Sequence, residues 1–131
     1  MKIEDRERVH VLRRQAQSVR DRALLLPDAE RALVQALLAH GHSMSSLARL
    51  MGLWPSTLRR RLSRVVTRMA SPKFAFFAGR LPELSPARQR IARTCILHGY
   101  SLSHAAKELR MSHHAVRRHS EALHAMFEAA A

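Results

Sequence analysis

Apolar residues fall at helical spacing along most of this chain. Val9, Leu12, Ala16, Val19, Ala23 and Leu26 are spaced 3-4-3-4-3, which predicts one long helix over residues 2–25 with a narrow apolar seam. Leu58, Leu62 and Val65 stand at i, i+4 and i+7, and Val116, Ser120 and Leu123 repeat that spacing. Each set lines the buried face of a helix and turns polar and charged residues outward.

Local signals mark where the helices begin and end. Pro27-Asp28 opens one helix that runs to His40, and Ser85-Pro86 opens another that runs to His98. Serine caps a first turn and proline fits its first position. Both helices close at His-Gly, because glycine tolerates the left-handed conformation of a C-cap. Ser43 or Ser45, and Ser101 or Ser103, open a shorter helix that closes near Gly52 or Arg110. A third helix follows in each case. Ser112 caps the later one, whereas the earlier one has Pro55 at its first position and Trp54 at the cap. Trp54 has no side-chain oxygen to accept a hydrogen bond, so packing of its ring, or a start one residue later, is expected to compensate.

The two parses coincide because the chain repeats itself. Residues 26–69 and 84–127 align without a gap at an offset of 58. Nine positions are identical, among them His40/His98, Gly41/Gly99, Ala48/Ala106, Arg59/Arg117 and Arg60/Arg118. With only four glycines and a predominance of Ala, Leu and Arg, the fold class is expected to be all-α. The expected order is an N-terminal helix (residues 1–25), a three-helix domain (26–70), a connector (71–83) and a second three-helix domain (84–131). The connector, SPKFAFFAGRLPE, holds three of the four phenylalanines. They suit either packing between the repeats or docking of a partner such as RNA polymerase.

The spacing inside each repeat points to chemistry. Ala48, Met51, Leu53 and Leu58 sit at 0, +3, +5 and +10, and Ala106, Leu109, Met111 and Val116 sit at the same four positions. A small residue lets a second helix cross closely, and the apolar residues fill the space between the two. This is the pattern of a helix-turn-helix, whose second helix enters the DNA major groove.

Charge strengthens that reading. The formal net charge is +13, and no acidic residue lies between Glu30 and Glu83. Residues 1–25 carry +3, residues 26–83 carry +6 and residues 84–131 carry +4, so the charge is spread over the chain and attracts a polyanion. With 47% apolar residues, the chain is not a disordered basic arm. In the first repeat the outward residues are Ser56, Arg59, Arg60, Ser63 and Arg64, with Thr57 and Arg61 beside them. In the second they are His113, His114, Arg117, Arg118 and Glu121, with Ser112 and His119 beside them. Arginine contacts guanine O6 and N7 bidentately or grips a phosphate. Arg61 and His119 lie further round and suit phosphate. The two faces differ, so the copies are expected to read different sequences.

At these residues the chain resembles region 4 of bacterial sigma factors and is similar to the LuxR-type helix-turn-helix. LPDAER resembles the Leu-Pro opening with acidic and arginine residues, and LSPARQR does so less closely. HGHSMSSLA and HGYSLSHAA match the turn, and SHHAV and WPSTL match the start of the recognition helix. The resemblance implies binding of double-stranded DNA. No segment resembles the promoter-melting domain of a sigma factor or the sensor domain of a LuxR-type regulator.

Other chemistries find no support in the sequence. His113, His114 and His119, with His104 and His124 nearby, do not form a zinc set, for zinc ligands converge and usually include cysteine. Cys95, the one cysteine, falls on an apolar helix face. No Ser/His/carboxylate set, Gly-rich phosphate loop, cofactor site or small-molecule site is evident. No apolar run approaches the ~20 residues of a membrane span. MKIEDRERVH has no secretory apolar stretch, so a cytoplasmic, nucleoid-associated protein is expected.

The expected function is non-enzymatic, sequence-specific regulation of transcription. Two alternatives use the same helices, namely a polymerase-binding adaptor and a DNA-binding accessory of a transposase, recombinase or phage machine. The seam of Val9, Leu12, Ala16, Val19 and Ala23 either packs on the first repeat or forms a homodimer.

Overall fold

The computed structural model describes residues 16–39 and 43–130. All their regular elements are helical, with no strand among the described residues. The chain divides after Met69 into two compact units.

The first unit contains α1 (Ala16–Ala23), α2 (Asp28–Ala39), α3 (Met44–Met51) and α4 (Pro55–Met69). Val19 and Ala23 from α1, Leu33, Val34 and Leu37 from α2, Leu47 and Ala48 from α3, and Leu58, Leu62 and Val65 from α4 are all buried. Two polar ties cross long stretches of sequence. Arg22 on α1 donates to the carbonyl of Met69 at 3.0 Å, and Arg68 on α4 pairs with Glu30 on α2.

Val19 and Ala23 of the N-terminal seam therefore face inward. Val9 and Leu12 lie outside the described residues, and Ala16 opens α1. Val19 and Ala23 belong to the core of this unit, so their side chains are not on its surface to meet a second copy.

The Glu30–Arg68 pair is partly buried, and the Arg68 Nε is buried with no hydrogen-bond partner among the described residues. Replacing Glu30 by alanine would leave that guanidinium uncompensated. The expected cost is about 2 kcal/mol, within the range for a charged hydrogen bond, measured as a lower urea midpoint.

The second unit begins where a connector was expected. Ser71 accepts a hydrogen bond from the Lys73 N–H at 3.2 Å and caps α5 (Pro72–Ala78). A single 3-10 turn follows at Leu81–Glu83. Phe74 and Phe77 are fully buried, and Phe76 packs edge-on against Phe77 and Phe127 with the Arg80 guanidinium 4.0 Å above its ring. The segment is thus a structural part of the second unit. Its Ser-Pro opening starts a helix just as Ser85-Pro86 does.

Beyond it, α6 (Pro86–Ile91) is capped by Ser85 and runs on as a π-helical stretch, Ala92–Leu97. An ordinary α-helix was expected over both. The widened ladder shows in the His98 N–H, which donates to the Arg93 carbonyl at 2.8 Å. Gly99 follows with φ +75°, as the His-Gly stop predicts. The unit ends with α7 (Leu102–Leu109) and α8 (His113–Ala130). Cys95 is half-buried on the π-helical stretch, and burial pushes its thiol up from the ordinary value.

Three helices of the first unit have counterparts in the second. They start at residues 28 and 86, 44 and 102, and 55 and 113, a constant offset of 58. The helix starts follow the sequence repeat, although of the caps only Ser43/Ser101 is the same residue in both units.

Candidate nucleic-acid interface

The geometry of each outward face begins with the turn that precedes it. Ser43 accepts from the Ser46 N–H at 3.1 Å and caps α3, and Ser101 accepts from the His104 N–H at 3.1 Å and caps α7. The first of each serine pair is therefore the cap. Gly52 then turns left-handed at φ +67°, and the Leu53 N–H reaches back to the Ala48 carbonyl at 2.9 Å. That bond satisfies an end carbonyl of the helix. In the second unit Arg110 holds the same place at φ +55°, with the Met111 N–H on the Ala106 carbonyl at 3.0 Å.

A Cβ on Gly52 would meet nothing within 4 Å, so only backbone strain opposes a side chain there. Gly52→Ala is expected to destabilise the first unit by about 1 kcal/mol. Arg110→Gly is expected to stabilise the second by a similar amount, about 1 kcal/mol. Opposite shifts in thermal midpoint would confirm the pair.

α4 buries Leu58, Leu62, Val65, Val66 and Met69. Ser56, Arg60, Arg61 and Arg64 are exposed, and Thr57 and Arg59 are partly exposed. Arg59, Arg60, Arg61 and Arg64 have no ion-pair partner among the described residues. Arg61 and Arg64 share one flank, where with Glu30, Leu33, Met51 and Leu53 they line an open cavity of about 310 Å³. Arg59 and Arg60 do not line it. The sequence placed Arg64 with Arg59 and Arg60, and the structure sets it beside Arg61.

α8 buries Val116 and Leu123. His113, His114, Arg117 and Arg118 are exposed and His119 is partly exposed. Ser112 accepts from the Ala115 N–H at 3.1 Å, so its hydroxyl is engaged as a cap. The other histidines have separate company. His104 stacks on Tyr100 with centroids 4.1 Å apart, and His124 lies 3.2 Å from the Lys73 Nζ and 3.5 Å from Glu128. Among the described residues no three His, Cys, Asp or Glu side chains come together as metal ligands, and no helix is long and apolar enough to cross a membrane.

One surface residue escaped the sequence reading. Either packing of the Trp54 ring or a helix start one residue later was expected; the helix starts at Pro55 and the ring is 80% exposed. Its backbone carbonyl accepts from the Leu58 N–H at 3.0 Å, so it occupies the cap position of α4 while its side chain caps nothing. A serine there typically contributes about 1 kcal/mol. The signal in the sequence was the pairing of Trp54 with Ser112 across the repeat.

Residues 26–64 match the model of a helix-turn-helix family, bacterial regulatory proteins of the Fis family. No curated protein and no solved structure matches the chain. The matched segment covers α2, α3 and the exposed first turns of α4. This family differs from the two classes whose motifs the sequence resembles, and the helix-turn-helix is common to all three. The chain carries a helix-turn-helix DNA-binding domain at residues 26–64, similar to that of Fis-family bacterial regulatory proteins.

Proposed function

We propose that this protein regulates transcription by binding double-stranded DNA at specific sequences, with α4 and α8 each entering a major groove. The observation that carries this reading is the outward face of α4. Arg59, Arg60, Arg61 and Arg64 project from a helix whose apolar face is used in the core, and none of the four has an ion-pair partner among the described residues. The constant offset between the helices of the two units supports extending the role to α8.

Roles follow from position. Ser56, Thr57, Arg59 and Arg60 lie in the first two turns of α4, the part of a recognition helix that meets base edges. Arg61 and Arg64, on the flank, serve phosphates. On α8, His113, His114, Arg117 and Arg118 read bases, and His119 serves phosphate. Ser112 sets the angle of the helix by capping it. A single chain then carries two unlike reading heads, and a homodimer is not needed for a two-part site.

The test is to sequence genomic fragments retained by the purified protein at physiological salt. Discrete peaks sharing a motif of two unlike halves are expected, near promoters. A flat profile that vanishes with moderate salt would show that the charge acts only non-specifically. Co-purification with RNA polymerase and weak DNA binding would favour the adaptor instead.

A further inference from the structure

Trp54 is costly where it stands. The aligned residue in the second unit, Ser112, closes the first turn of its helix by accepting the Ala115 N–H. Trp54 accepts nothing through its side chain and leaves its indole 80% in solvent. Leu50, one turn back on α3, is 68% exposed. A position that forgoes a cap and also exposes a large apolar ring departs from the local rules obeyed by its counterpart. Such departures occur where function demands them.

The seat of the ring is firm. The Leu53 N–H is held by the Ala48 carbonyl at 2.9 Å, and the Trp54 carbonyl holds the Leu58 N–H at 3.0 Å. Pro55 follows and restricts the backbone further. The indole is therefore displayed from a fixed point at the N-terminus of α4, directly ahead of Ser56, Arg59 and Arg60. That end of a recognition helix is the part that approaches base edges. The apolar feature on a base edge in the major groove is the 5-methyl of thymine. Arg59, Arg60, Arg61 and Arg64 on the same helix favour a phosphate backbone over a like-charged protein surface as the partner of this helix.

We propose that Trp54 reads thymine, packing its indole against the 5-methyl group of a base at the groove edge met by the start of α4. The inference rests on the DNA-binding reading above and adds a specificity-determining residue to it. Trp54 is the only tryptophan in the chain, so its fluorescence reports the contact directly.

The experiment uses the full-length protein and the duplex recovered from the genomic selection. Binding is expected to quench Trp54 emission and shift it to the blue. Replacing the contacted thymine by uracil removes only the methyl, and is expected to weaken wild-type binding about fourfold, the value of one buried methyl-sized group. Trp54→Ser is expected to bind the thymine duplex roughly tenfold more weakly, as loss of an aromatic anchor does, and to bind thymine and uracil duplexes alike. The same variant should raise the thermal midpoint by about 4–8 °C through the restored cap. Unchanged emission on binding, or equal uracil penalties in wild type and Trp54→Ser, would overturn the proposal. So would a Trp54→Ser protein that binds every duplex like wild type, which would assign the ring to a protein partner. In those cases a loss of affinity on Arg59→Ala keeps the DNA-binding reading intact. If Arg59→Ala and Arg60→Ala also leave affinity unchanged, that broader reading fails as well.

Discussion

Replacing both Arg59 and Arg60 by alanine is expected to weaken binding to the preferred duplex about 10²–10⁴-fold. Each arginine that reads a guanine edge contributes roughly 1–3 kcal/mol. The two are adjacent, so their effects couple, and the sum of the single losses is only a guide. Neither side chain belongs to the core of α4, so the helical signal should stay unchanged and the loss can be assigned to contact. A salt series separates the two modes of contact. Loss of a base reader shrinks the ratio of preferred to scrambled affinity. Loss of a phosphate contact lowers both affinities equally and flattens the salt slope by about one unit. A double variant with undiminished affinity and unchanged selectivity would remove α4 from the interface.

Phe77→Ala is expected to unfold the second unit. Phe77 has no exposed surface, and its ring meets Phe76 edge-on at 4.9 Å. Truncating a buried phenylalanine costs about 3–5 kcal/mol through lost burial and the cavity left behind. A small core supplies only about 3–5 kcal/mol in total, and the unit spans only Ala70–Ala131. The loss should appear as reduced helical signal without denaturant. Phe76→Ala, at a partly exposed ring, loses edge contacts and the Arg80 cation–π contact. It should cost nearer 1 kcal/mol and leave the unit folded. Equal tolerance of both changes would mean that Phe77 does not anchor this core.

The local organisation of the chain was legible in the sequence. Serines, prolines and glycines act on their immediate neighbours, so Ser85, Gly52 and Gly99 marked a cap and stops that the structure retains, and of the pairs Ser43/Ser45 and Ser101/Ser103 the structure uses the first of each. The 3.6-residue period assigned Leu58, Leu62, Val65, Val116 and Leu123 to the interior, and all five are buried. The same period turned Arg60, Arg117 and Arg118 outward, and all three are exposed. Periodicity was less decisive for 71–83, since seven helical residues complete only about two turns. The Ser71-Pro72 start was present, yet the three phenylalanines drew the segment towards a connector.

The sequence by itself determined the helical class, the repeat at an offset of 58 and which side of α4 and α8 carries charge, because helical class and facing depend on neighbours within a few turns and the repeat is read directly from the residues. Tertiary structure alone decided which apolar residues find partners. Val19 and Ala23 are used inside the first unit, Phe74 and Phe77 inside the second, and Trp54 remains in solvent. It also joined Glu30 to Arg68 and Arg22 to Met69, across separations of 38 and 47 residues. Helical periodicity says which face of a helix is apolar. It contains no information about what covers that face, since coverage depends on where distant segments of the chain come to lie.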